Sequence, residues 1–151
     1  MEIDIEFMEK SFERGRCIYV PATLQHHTKT KAGSAYDLFA ILDTGATTTH
    51  ISKHLLFDMG YSEKDFTQDT KTSLSVTGEY KATLCKVRRF IFCGLSLTNL
   101  TVKVWELPKG HHVDGIIGMD LIRHYNLHIN SDTQKVTIHR SHATNKALQK
   151  P

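Results

Sequence analysis

The chain has 151 residues, a length that fits one globular domain and leaves little sequence for a second core. Hydrophobic residues make up 40% and charged residues 23%, a balance that excludes an intrinsically disordered chain. Nineteen Lys and Arg against sixteen Asp and Glu give a net charge of +3 without any basic run, so no nucleic-acid partner is predicted.

The start of the chain and its apolar segments argue against export and membrane insertion. Residues 1–6 lack the basic and apolar regions of a secretory signal, and no apolar run approaches the roughly 20 residues that cross a bilayer. Cys17, Cys85 and Cys93 cannot all pair within one chain, which favours a reducing compartment and buried structural thiols. Ten histidines show no recognisable ligand spacing. We therefore predict a cytoplasmic protein with no membrane partner, no metal and no other cofactor.

The first part of the chain predicts β-strands followed by one helix. Period-two alternation and β-rich composition predict strands at 2–7, 17–20 and 36–42. The second and third of these read as a hairpin joined by the polar stretch 25–34. Further on, Ser52 precedes an apolar run that ends at Gly60, which matches the signals for a helix N-cap and a helix C-terminus. A short helix is therefore predicted at 52–59.

The second part of the chain returns to β-type residues. Three or four strands are predicted between 72 and 107, with turn candidates at 77–78, 94–96 and 108–110. Within this region Trp105 either lines a substrate groove or packs on the sheet. A second helix is predicted at 119–125, and two strands at 127–129 and 135–139 flank a β-turn composition.

The domain boundary follows from where these patterns stop. Residues 141–151 carry no strand or helix pattern and are predicted to form a mobile C-terminal tail. The chain is therefore predicted as one domain, 1–140, followed by that tail.

A carboxylate lies where an apolar strand ends. Residues 38–42 run directly into Asp43-Thr44-Gly45-Ala46, and Gly45 permits a sharp turn there. An Asp-Thr-Gly triplet alone also occurs as an ordinary turn. A second motif, Gly-Ile-Ile-Gly-Met-Asp-Leu at 115–121, follows about seventy residues later, after strands and a hairpin that contains glycine.

Together these motifs resemble the retropepsin-like aspartic protease family. In that family two apolar residues, an Asp-Thr/Ser-Gly-Ala/Ser turn, a β-hairpin flap and an apolar-apolar-Gly segment before a helix occur in this order. The resemblance covers roughly residues 36 to 139. It implies an all-β, closed-barrel-like subunit with one or two short helices, and it implies peptide-bond hydrolysis.

The resemblance also assigns roles to individual residues. Asp43 is similar to the catalytic aspartate, and Thr44 to the residue whose hydroxyl braces the two active-site loops across a dimer. Gly45 and Ala46 complete the active-site loop. The segment that packs beneath and beside that loop corresponds to Ile116, Ile117 and Gly118. The tip of the flap corresponds to Thr77 and Gly78.

The single Asp-Thr-Gly triplet predicts a homodimer, because an isologous pair of subunits brings two Asp43 carboxylates together. Two such carboxylates share a proton, so that one acts as base and the other as acid. The predicted function is an aspartic endopeptidase acting on a polypeptide. The alternative is a catalytically silent dimerisation or peptide-binding module with the same fold. Asp120, beside the second motif, is interpreted as a helix N-terminal contact.

Overall fold

The computed structural model describes residues 2–6, 11–12, 15–28, 34–75, 77–108, 110, 113–133 and 135–140. The predicted tail at 141–151 therefore lies outside the described residues. The strands are β1 (Glu2–Glu6), β2 (Ser11–Phe12), β3 (Gly15–Arg16), β4 (Tyr19–Gln25), β5 (Ala35–Leu42), β6 (His50–Ser52), β7 (Phe66–Ser75), β8 (Gly78–Phe92), β9 (Leu95–Trp105), β10 (Gly115–Ile117), β11 (Tyr125–Asn130) and β12 (Lys135–Arg140). The helices are α1 (Lys53–Asp58), a 3-10 helix (Glu63–Asp65) and α2 (Met119–Ile122).

A closed barrel of six strands forms the centre of the molecule. Its strands follow the order β4-β5-β10-β6-β9-β8, and β8 pairs back onto β4 with Phe92 opposite Ala22 and Phe90 opposite Leu24. Closure satisfies the backbone groups that an open sheet leaves at its edges. The predicted all-β fold with a closed barrel and one or two short helices is confirmed.

Alternating apolar residues give the barrel its core. In β4 and β5 every second residue along part of each strand is buried, which is the period-two pattern of strands with one face toward a core. Burying one such large side chain contributes about 1.5–3 kcal/mol. The largest fully buried side chains are Phe90, Phe92, Leu24, Leu38, Ile51, Leu56, Ile117, Ile138, Val20, Val87, Val102 and Val136.

The hairpin of β7 and β8 extends past the barrel as a two-stranded arm. Strand β8 pairs with β9 from Leu84 onward, whereas its residues 78–83 pair with β7 alone. We call β7 together with residues 78–83 the hairpin arm. Thr77 and Gly78 lie at its end, where the sequence predicts a turn, and Gly78 has a φ of +122° that favours glycine.

A separate sheet of three strands, in the order β1-β12-β11, packs beside the barrel. The ring of Tyr125 in β11 lies 5.2 Å from that of Phe92, and its hydroxyl donates to the Phe92 carbonyl at 2.8 Å. These strands fall where the sequence predicts strands at both ends of the domain. None of the helices in the described part of the chain is long and apolar enough to span a bilayer.

The two α-helices differ in detail from the predicted ones. Ser52 is the N-cap residue of α1, as predicted, but its side chain makes no capping hydrogen bond. Gly60 follows the helix with a φ of +87°, as the C-terminal signal predicts. Helix α2 ends at Ile122 rather than at Tyr125, because the buried Tyr125 already begins β11.

Candidate active site

Asp43 lies where β5 ends and the chain leaves the barrel. Its backbone N–H donates to the Ile117 carbonyl at 3.0 Å, and its Oδ1 accepts the N–H of Gly45 at 2.8 Å. The Asp43 side chain is half-buried, whereas Thr44 and Gly45 are exposed. The loop therefore fixes one carboxylate oxygen of a residue that is only half-buried.

Residues of the second motif support this loop through the backbone. Strand β10, with Ile116 at its centre, pairs parallel with β5 and antiparallel with β6. Directly after β10, the N–H of Met119 donates to the Ala46 carbonyl at 2.7 Å. The structure thus brings together the two motifs that lie about seventy residues apart in the sequence.

Gly118 fits beside the loop because it has no side chain. A Cβ at this position would lie 2.6 Å from the carbonyl carbon of Thr48 and 3.0 Å from the carbonyl oxygen of Ala46. Both are backbone atoms that cannot rotate away. Its φ of −97° is open to every residue, so packing rather than conformation requires glycine here. Gly115 meets the same restriction against the backbone oxygen of His50.

The side chain of Asp120 connects the second motif with Thr49, which follows the first motif. Its Oδ2 accepts the Thr49 N–H at 3.0 Å, and its Oδ1 accepts the Thr49 hydroxyl at 2.8 Å. The same Oδ1 accepts the Leu121 N–H at 3.0 Å, which is the helix-terminus contact that the sequence predicts. Thr49 is buried, and its Oγ1 also accepts the Gly118 N–H at 3.2 Å. Asp120 therefore holds the segment that follows the 43–46 loop, a role that the sequence does not reveal.

We expect Asp120→Asn to destabilise the protein by about 1–3 kcal/mol, because an amide nitrogen cannot accept one of the bonds that the carboxylate now accepts. For a domain of this size that corresponds to a Tm lower by about 2–4 °C per kcal/mol. Urea denaturation and calorimetry measure both values. The control is Asp132→Asn in the exposed β11–β12 turn, which is expected to stay within about 0.5 kcal/mol of the wild type. Equal stability of the two variants would contradict the bracing role of Asp120.

A cavity of about 410 Å³ lies between the hairpin arm and barrel strands β6 and β9. We call it the arm cavity; its lining includes His50, Thr77, Tyr80, Lys103, Trp105 and Glu106. Trp105 was predicted either to line a groove or to pack on the sheet, and it lies in this lining. Gly78, the other predicted flap residue, neighbours Thr77 in the chain.

His50 connects the arm cavity with the chain segment that follows Asp43. Its Nδ1 lies 2.7 Å from the Thr48 carbonyl, so the ring donates from that nitrogen. Burial lowers the pKa of His50, and the charges of Asp43 and Lys103 also act on it, in opposite directions. The His50 ring therefore feels both charges, although Asp43 itself is not part of the cavity lining.

Cys85 and Cys93 are not suited to nucleophilic chemistry. Burial raises the pKa of Cys85 to about 12 and that of Cys93 to about 11. A thiol reacts as its thiolate, so both groups are inert near neutral pH. All three cysteines are free, and Cys17 is half-buried. The prediction of structural thiols agrees with these environments.

The sequence matches one known protein family over a range that includes both motifs of the candidate site. The model of a family described as aspartyl protease matches residues 32–121, a range that includes the loop at 43–46 and the segment at 115–118. A search of curated protein sequences gave no match.

The fold is shared with a solved structure. A retropepsin-like aspartic protease from Rickettsia conorii superposes with a TM-score of 0.62 at 20% identity, covering 93% of this chain and 91% of that chain. The EIAV protease complexed with the inhibitor HBY-793 gives a TM-score of 0.49 at 16% identity, covering 76% of this chain and 92% of that chain. With its family match over more than half of the sequence and its barrel shared with the Rickettsia protein, the chain belongs to the retropepsin-like aspartic protease family.

Proposed function

We propose that the chain is an aspartic endopeptidase that acts as a homodimer, in which each subunit supplies one Asp43 to a shared site. The observation that carries the proposal is the setting of Asp43. The residue is half-buried and its carboxylate is held by the Gly45 N–H, while His50, seven positions along the chain, lines a cavity beneath a hairpin arm. A polypeptide could reach the carboxylate through that cavity.

The dimer follows from the chemistry of the reaction. Peptide hydrolysis by carboxylates requires a base that activates water and an acid that protonates the leaving nitrogen. The sequence contains a single Asp-Thr-Gly triplet, so one subunit supplies half of this pair. Thr44 and Gly45 are exposed beside Asp43, which supports a contact between two copies of the loop about a two-fold axis.

In this mechanism the two Asp43 carboxylates share one proton across the dimer axis. The ionised carboxylate takes a proton from water, and the water oxygen attacks the peptide carbonyl. The protonated carboxyl stabilises the developing oxyanion and then protonates the departing nitrogen. Because the pair must keep one proton, hydrolysis is favoured in mildly acidic solution.

The proposed substrate is an extended polypeptide that runs between the hairpin arm and the Asp43 loop. Peptides in such clefts bind as an added strand, with backbone hydrogen bonds giving affinity and side-chain cavities giving selection. Thr77 and Gly78 at the end of the arm would then act as the flap that covers the substrate. Ile116, Ile117 and Gly118 would keep the loop in its reactive geometry.

Dilution of the purified protein tests the shared site. We expect a two-fold dimer by analytical ultracentrifugation, and we expect hydrolysis of a mixed peptide library between pH 3 and 7. Specific activity should fall in proportion to the dimer fraction as the protein is diluted below its dissociation constant. Full specific activity from a strict monomer would contradict the shared site. If the protein binds peptides but hydrolyses none of them anywhere in this pH range, it is a silent binding module instead.

A further inference from the structure

Lys103 is a barrel lysine with little access to solvent. The residue is 9% exposed, and its side chain lines the arm cavity. The ammonium Nζ donates to the Ser73 hydroxyl at 3.1 Å and lies 5.7 Å from the centre of the Tyr80 ring. Both partners belong to the hairpin arm. The cation is therefore directed from the barrel toward the arm, across the space where a substrate would lie.

The strand register places Lys103 on the same face of the sheet as His50. Lys103 lies opposite His50 in the parallel β6–β9 pair, and residues directly opposite each other share a face. Trp105, two positions further along β9, shares that face as well. The arm cavity thus has a wall of His50, Lys103 and Trp105.

No carboxylate pairs with this cation among the residues that the structure describes. Glu106 also lines the cavity, but its carboxylate accepts from Lys53 at 2.9 Å. Lys53 in turn lies 3.0 Å from Glu63. Lys103 is left with a neutral hydroxyl and an aromatic ring as partners. A nearly buried ammonium with neutral partners is costly, and an anion that enters the cavity would offset that cost.

We propose that Lys103 binds an acidic side chain of the substrate and makes the arm cavity a subsite for aspartate or glutamate beside the scissile bond. The inference rests on the proposed endopeptidase function and adds a substrate class to it. The ammonium has three donors, and its bond to Ser73 uses one of them. In a homodimer the subsite occurs twice, so an acidic residue is accepted on either side of the cut.

A matched set of peptides tests the subsite. A peptide that the wild-type protein cleaves is first identified from a mixed library, and its cut site is located by mass spectrometry. Glu, Gln, Leu and Lys are then placed in turn at each position that flanks the cut, and kcat/KM is measured at pH 5.5, where glutamate is largely ionised. At one flanking position or more, the Glu peptide is expected to exceed the Gln peptide by about tenfold, as is typical of a hydrogen bond to a charged group.

Variants of Lys103 connect this preference to the residue. Lys103→Met keeps an unbranched side chain and is expected to bring the Glu/Gln ratio to about one. Lys103→Arg is expected to retain the preference for Glu. Lys86→Met, at an exposed position of β8 outside the cavity lining, is the matched control and should leave the ratio unchanged.

The outcomes separate the subsite from the proposed function. If the wild-type protein cleaves no peptide, the endopeptidase proposal fails, and the subsite fails with it. If peptides are cleaved but Gln equals or exceeds Glu at every flanking position, the subsite alone is overturned. A Glu/Gln ratio that stays high in Lys103→Met also overturns it. The wild-type series and Lys103→Arg decide the question even if Lys103→Met does not fold.

Discussion

Asp43→Asn is expected to reduce peptide hydrolysis by about 10²–10⁴-fold or more, because an amide cannot serve as the general base. The asparagine oxygen can still accept the Gly45 N–H, which lies 2.8 Å from Oδ1 in the native loop, so folding should be preserved. The measurements are kcat/KM on a cleaved peptide, together with circular dichroism and Tm. Asp37→Asn, at an exposed position of the same strand, is the control and should keep wild-type activity. Near wild-type turnover by Asp43→Asn would exclude Asp43 from the mechanism.

Mixing subunits extends this experiment to the sharing of the site. When a tenfold excess of Asp43→Asn protein exchanges with wild-type subunits, most wild-type chains should pair with an inactive partner. Activity is then expected to fall by about tenfold through mass action alone. Activity that is unaffected by the excess would indicate that each wild-type subunit works without its partner.

Gly118→Ala is expected to lower the free energy of unfolding by about 2–3 kcal/mol and the Tm by about 5–10 °C. The added Cβ would lie 2.6 Å from the backbone of Thr48, so the active-site loop must move. Activity should fall as well, since that loop carries Asp43. Urea denaturation gives the stability, and peptide hydrolysis gives the activity.

Gly110→Ala is the control for this substitution. Among the residues that the structure describes, none brings an atom within 4 Å of a Cβ at Gly110, although its φ of +90° adds backbone strain of about 1–2 kcal/mol. The loss of stability in Gly118→Ala should be larger, and activity should fall only in Gly118→Ala. If Gly118→Ala keeps wild-type activity and loses no more stability than Gly110→Ala, the loop is not packed against Gly118 as tightly as its contacts indicate.

The parts of the fold that follow from local patterns could be predicted from the sequence. Alternation located most of the strands, and the Asp-Thr-Gly-Ala loop was recognisable because its residues are contiguous and follow an apolar run. Helix α2 was predicted too long because Asp120, Arg123 and His124 suit a helix dipole. Burial of Tyr125 against Phe92 starts a strand instead, and tertiary packing of this kind overrides local preference.

Two features of the site could not be predicted because they depend on distant residues. The bonds from Thr49 to Asp120 join positions 71 residues apart. A lysine between valines in an alternating strand reads as a solvent-facing residue, yet Lys103 is nearly buried. The hairpin arm covers Lys103 through Ser73 and Tyr80. The position of the arm depends on how β7, β8 and β9 pair, which a local sequence pattern does not show.

Because β5 pairs with β10, the loop that follows β5 can be completed only after β10 has been synthesised. Ala40 pairs with Gly115, so Asp43 leaves the ribosome long before the segment that supports its loop. Until then the loop lacks the Ile117 carbonyl and the Met119 N–H that hold it. Pairing between such distant segments forms slowly, and domains fold as units. Under the proposed function, a nascent chain that already exposes Asp43 is therefore expected to stay inactive until residues 115–119 have been synthesised and paired.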